Sequence, residues 1–159
     1  MKTRSYSLTE GLCVGLIGYA IVVLVVAALD LGLGRPLFYT PNSFGRVLVP
    51  DPGPPGTIGA ASVLAYNGVH LLVFLIIGIG VVQLAHLVEL HPIAWYLAFF
   101  TCVLGFFVAE LTFTVIDPAG QALAWWAVLG ATAAAAFGMG AFINYRHPRL
   151  WQRVEGVEE

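Results

Sequence analysis

Charge is scarce in this chain. Seven lysines and arginines and nine aspartates and glutamates make up 10% of its 159 residues, where a soluble domain carries about 25%. That excludes an ordinary water-facing fold. The formal net charge of −2 and the lack of any lysine or arginine cluster exclude a nucleic-acid-binding footprint. Cys13 and Cys102 each stand alone in apolar stretches, so they read as isolated thiols and not as a disulfide framework. Catalytic signatures are missing too. There is no H-E-x-x-H, no G-x-S-x-G and no P-loop, and no Ser/His pair or facing aspartates for intramembrane proteolysis. No basic residue falls in mid-span, which argues against a voltage sensor or an anion pathway. The sequence leans towards a non-enzyme.

What is abundant is apolar surface. Hydrophobic residues make up 59% of the chain, and mean hydropathy is +0.87. A helix needs about 20 apolar residues to cross the hydrocarbon, and four segments supply them, near 8–33, 61–89, 93–116 and 120–145. The expected fold is an all-α integral membrane protein, a single four-helix bundle domain over 1–159. Lys2 and Arg4 precede an apolar run, Leu12 to Leu33, that is longer than the ~7–15 residues of a signal-peptide core. It reads as a retained first span. Ser7 and Glu10 form an S-x-x-E capping box at its start. Pro92 and Pro118 mark tight turns between spans two, three and four. No inverted repeat of the transporter kind is present.

The connection from Gly34 to Ala60 differs. It holds six of the nine prolines, Pro36, Pro41, Pro50, Pro52, Pro54 and Pro55, a composition that forbids a helix in lipid. Its first half is apolar enough to lie on the membrane surface, and Pro50 to Gly56 is turn chemistry. Basic residues set orientation. Lys2, Arg4, Arg146, Arg149 and Arg153 flank the termini, against Arg35 and Arg46 in the loop. Both termini are therefore expected in the cytoplasm and loop 34–60 outside. Trp95, Tyr96, Tyr145 and Trp151 suit the inner interface, and Tyr39, Trp125 and Trp126 the outer one.

Ionisable groups inside a bilayer are costly and are functional candidates by default. Asp30 near the outer end of span one, His70 about three turns into span two and Glu110 about two turns before the end of span three all fall in the outer half. Asn67 and Thr114, one turn from His70 and Glu110, share their helix faces, as does Tyr66. Three readings stand for this set. It can be a structural hydrogen-bond network, a proton relay or quinone-contacting site facing a larger partner, or a metal site of Asp30, His70 and Glu110. His86 lies 16 residues beyond His70 on the same span, about 24 Å away along a helix, with Gln83 and Glu89 beside it. No other span carries a histidine, so haem held within this one chain is not expected, and no cofactor is required by the sequence.

Small residues mark packing faces, with Gly11, Gly15 and Gly18 in span one and Gly130, Ala134 and Gly138 in span four. They can join helices within the chain or between subunits. Beyond the lipid bilayer, the expected partners are other membrane subunits or further copies of the chain. The leading expectation is a small non-catalytic accessory subunit of a larger bacterial-type membrane assembly, of an energy-converting (respiratory or photosynthetic) kind. Two rivals are a small redox or metal-binding membrane protein built on Asp30, His70 and Glu110, and a homo-oligomeric channel or proton-conducting protein.

Overall fold

The computed structural model describes residues 8–91 and 123–147, together with positions 96, 100, 101, 104, 105, 107, 108, 111 and 115. The described residues are helical, with no strand among them. They form α1 (Leu8–Gly32), α2 (Tyr39–Gly45), α3 (Ala60–Leu90) and α4 (Trp125–Arg146). The scattered positions of 96–115 are helical as well. Most of the expected third span, 93–116, including Glu110 and Thr114, lies outside the described residues.

Three helices, α1, α3 and α4, are long and apolar enough to cross a membrane. Their apolar residues do not collect on one face. Leu24 is 69% exposed, Ile76 62% and Phe137 80%, while Val14, Val82 and Ala135 are buried between the helices. A helix apolar on every side, with large side chains facing outward, suits hydrocarbon and not water.

Contacts along α1 fix the directions of its neighbours. A Cβ on Gly11 would stand 2.7 Å from Ile79 Cα, and one on Gly15 2.8 Å from Leu75 Cα, while Tyr19 reaches Asn67. Residue numbers rise on one helix as they fall on the other, so α1 and α3 are antiparallel. The close crossing depends on glycine on both sides, because a Cβ on Gly78 would collide with the backbone of Gly15. Against α4, Glu10 meets His147, Gly18 meets Met139 and Ile21 meets Gly138, which makes that pair antiparallel also. Hence α3 and α4 point the same way, and Leu90 and Trp125 stand at opposite ends of the bundle. The face of α4 turned inward carries Ala127, Ala131, Ala135, Met139 and Ile143, a four-residue stripe of mostly small residues that lets α1 approach. Gly138 borders this stripe, whereas a Cβ on Gly130 would meet nothing within 4 Å among the described residues.

The segment 34–60 is more ordered than its proline content suggests, because its first half, expected to lie on the membrane surface, holds the seven-residue helix α2. That helix accommodates Pro41 because proline sits in its first turn, where backbone N–H groups have no intrahelical acceptor. Ahead of it, α1 ends in a Schellman motif: Gly34 at φ +69 donates to Leu31 O at 3.0 Å, and Arg35 N donates to Asp30 O at 2.8 Å. Packing then brings α2 onto α3 so closely that a Cβ on Gly45 would strike the backbone of Ser62. The proline-rich half is held from α2. Asn42 Nδ2 donates to Thr57 O and its Oδ1 accepts from Gly59 N, at 3.1 and 2.9 Å. The Arg46 guanidinium donates to the carbonyls of Pro52, Gly53 and Pro54.

Candidate functional site between α1, α2 and α3

Where the end of α1 meets α2 and the first third of α3, a cavity of ≈ 40 Å³ opens among the helices. Its wall includes Val22, Val26, Asp30, Phe38, Tyr66, Asn67 and His70. Three of the polar residues singled out from the sequence, Asp30, Asn67 and His70, therefore line one space. Glu110 and Thr114 lie outside the described residues.

The three are engaged differently. Asp30 is 1% exposed. Its Oδ2 accepts from Thr40 N at 3.0 Å and its Oδ1 from Thr40 Oγ1 at 2.7 Å. This pairing docks the start of α2 onto the last turn of α1. It also holds Phe38 at φ 71, a left-handed conformation that costs a residue with a Cβ about 1–2 kcal/mol. Asn67 is shared between helices, since its Oδ1 accepts from Tyr19 Oη at 3.0 Å while its Nδ2 donates to Val63 O at 2.8 Å. Both arrangements meet the requirement that a buried polar group be hydrogen-bonded.

His70 sits in an aromatic stack. The rings of Phe44, Tyr66 and His70 lie nearly parallel, with centroids 5.8 and 5.1 Å apart, and Phe74 tilts against the other side of His70 at 5.1 Å. Tyr19 adds a tilted contact at 6.2 Å from α1. The stack follows from sequence, because Tyr66, His70 and Phe74 recur every four residues and so lie on one stripe of α3. Unlike the amide and carboxylate nearby, His70 Nε2 is buried without a hydrogen-bond partner among the described residues.

Chemically, the described part of this site is a two-point polar clamp with one imidazole left over. Among the described residues, no three His, Cys, Asp or Glu side chains gather as a metal site would require, and Asp30 is already occupied by Thr40. Tyr19, Thr40 and Phe74 were not singled out from the sequence. Tyr19 had a signal: it lies eleven residues before Asp30, three helical turns, and so on the same face of α1.

A second buried polar group lies at the other end. His147 Nε2–H donates to Glu10 Oε1 at 2.8 Å, and Arg146 Nε stands 3.6 Å from the same oxygen. Glu10 and His147 are 5% and 6% exposed. The capping-box reading put Glu10 in the first turn of α1, where it is, but gave no hint of this partner. His86 and Gln83 lie further along α3, half-buried and exposed respectively. No family model, curated protein or solved structure matches the chain.

Proposed function

We propose that the chain is a non-catalytic, four-crossing accessory subunit of a larger membrane assembly, with both termini cytoplasmic and loop 34–60 outside. One observation carries the non-catalytic reading. Among the described residues, two of the polar groups that enter the apolar layer, Asp30 and Asn67, serve as ties, loop to helix with Thr40 and helix to helix with Tyr19. An intramembrane carboxylate that accepts two hydrogen bonds from its own loop is a structural anchor.

The four-crossing part draws support from direction. With Leu90 and Trp125 at opposite ends of the bundle, one more passage between them returns the chain, and 93–116 has the length and apolarity for it. The assembly part draws support from the outward faces. Leu64, Leu72, Ile76, Trp125 and Phe137 all point away from the described bundle, and such apolar surface associates with lipid or with neighbouring helices.

Purification from native membranes in mild detergent tests this, read by native gel mass, identification of stoichiometric co-purifying chains, a visible spectrum and metal analysis. The reading expects fixed stoichiometric partners with neither metal nor pigment in the isolated chain. Metal that is lost on His70→Ala would overturn it in favour of a metal-binding protein. A monodisperse homo-oligomer with no other chain would overturn it in favour of a channel-like assembly.

A further inference from the structure

We infer that the cavity between α1, α2 and α3 is a water-binding site, in which bound waters link the His70 imidazole to Asp30 inside the apolar layer. This goes beyond the accessory-subunit reading and does not depend on it. Two observations meet here. The first is the buried His70 Nε2, which has no hydrogen-bond partner among the described residues. Leaving such a group dry is costly, and buried polar atoms in proteins are paired with protein or with ordered water. The second is the cavity, with His70 on its wall and a volume of ≈ 40 Å³.

Volume decides the class of ligand. A buried water needs at least about 10–15 Å³ of such space, so two or three fit. Ligand pockets for drug-sized molecules run to about 300–1,000 Å³, well above the ≈ 40 Å³ of this space. Polarity decides whether the space is wet or dry. An apolar cavity of this size stays empty, whereas a water with two to four polar partners is retained. The polar side chains of Asp30, Asn67 and His70 line this one. In the arrangement inferred here, His70 contributes Nε2. Asp30 supplies carboxylate lone pairs beyond the two used by Thr40, since an ionised carboxylate has about four. Asn67 supplies the second hydrogen of Nδ2, the first being donated to Val63 O. In the arrangement assigned here, His70 Nε2–H donates to a water, and the water chain donates to Asp30. The apolar wall of Val22, Val23, Val26 and Ala27 confines the waters to the polar side.

The test uses the full chain in lipid nanodiscs with histidine ring nitrogens labelled, His70 being assigned by its loss in His70→Phe. The expected spectrum has His70 protonated at Nε2, with an exchange cross-peak from that proton to water. Filling the cavity by Ala27→Leu, or by Val23→Leu if the first variant does not fold, should abolish the cross-peak while leaving the signals of His86 and His147 in place. Absence of the cross-peak in the wild-type protein would overturn the inference, as would its survival in a folded cavity-filling variant. An Nε2 signal that lacks a water cross-peak but moves on Glu110→Gln would overturn it as well, by assigning the partner to a carboxyl group. None of these readouts involves the partners on which the proposed function rests.

Discussion

Glu10 and His147, 137 positions apart in sequence, join the first turn of α1 to the end of α4 through a 2.8 Å hydrogen bond. Their side chains are only 4% and 5% exposed. Removing either partner strips the other, buried side chain of this hydrogen bond, which costs about 1–3 kcal/mol. Glu10→Ala and His147→Ala should therefore each lower the thermal unfolding midpoint in detergent. The double variant should lose clearly less than the two single losses combined, because residues in one hydrogen-bonded pair are not additive. Strict additivity would show that the contact contributes nothing as a pair.

At the opposite end, the Asp30–Thr40 clamp predicts a graded pair of variants. Asp30→Ala removes both acceptors used by Thr40 and should cost about 1–3 kcal/mol. Thr40→Val removes the hydroxyl donor but keeps the backbone one, so its cost should be nearer one ordinary hydrogen bond, about 0.5–1.5 kcal/mol. The sensitive readout is limited proteolysis of 50–57 in nanodiscs, with cleavage faster in Asp30→Ala than in Thr40→Val. Equal rates in both variants and the wild type would mean that the clamp does not hold the loop.

The two buried polar ties were unequally legible in the sequence. Asp30 and His70 announce themselves because an ionisable group in an apolar run is costly wherever it points, and depth along a helix follows from counting residues. The partner of Asp30 does not. Thr40 lies in a segment whose proline content argues against a helix, yet a single proline in a first turn is harmless, and the Schellman turn at Gly34 delivers the chain to that turn. Glu10 has a sufficient local explanation as a capping residue, and nothing local points to a histidine 137 positions away. Three of the four expected spans were readable as hydropathy, since α1, α3 and α4 are apolar and long enough to cross a membrane, while most of 93–116 lies outside the described residues. Which small residues meet was not, because that depends on helix phase. Gly11, Gly15 and Gly18 do face other helices, while α4 turns Ala131 and Ala135 inward and brings no described residue within 4 Å of a Cβ on Gly130.

Arg46 yields a prediction about the loop alone. Its guanidinium donates to three successive carbonyls, those of Pro52, Gly53 and Pro54, at 3.0, 2.7 and 3.3 Å. Lysine is a single point donor and cannot span that fork. Arg46→Lys should therefore free 51–57 to proteolysis almost as much as Arg46→Ala does. Both changes should lower global stability by less than about 1.5 kcal/mol, since the contacts are largely exposed. A lysine variant that resists protease like the wild type would show that charge, and not the planar fork, is what matters.

Glycines on different faces give the sharpest contrast between packing inside the chain and packing outside it. A Cβ at Gly15 would stand 2.8 Å from Leu75 Cα, against a backbone that cannot rotate away. Gly15→Ala should force α1 and α3 apart and destabilise the bundle by about 1–3 kcal/mol. Gly130 has no described residue within 4 Å of its hypothetical Cβ. Gly130→Ala should therefore keep the isolated chain folded and add up to about 1 kcal/mol through helix propensity. Bulk separates the remaining possibilities. If a partner helix packs on the Gly130 face, as an accessory subunit would require of one of its outer faces, Gly130→Leu should leave the fold intact by circular dichroism. The same variant should break the native complex on a gel. A complex that survives Gly130→Leu places the partner on another face, with the exposed side of α3 around Leu72 and Ile76 the next surface to substitute.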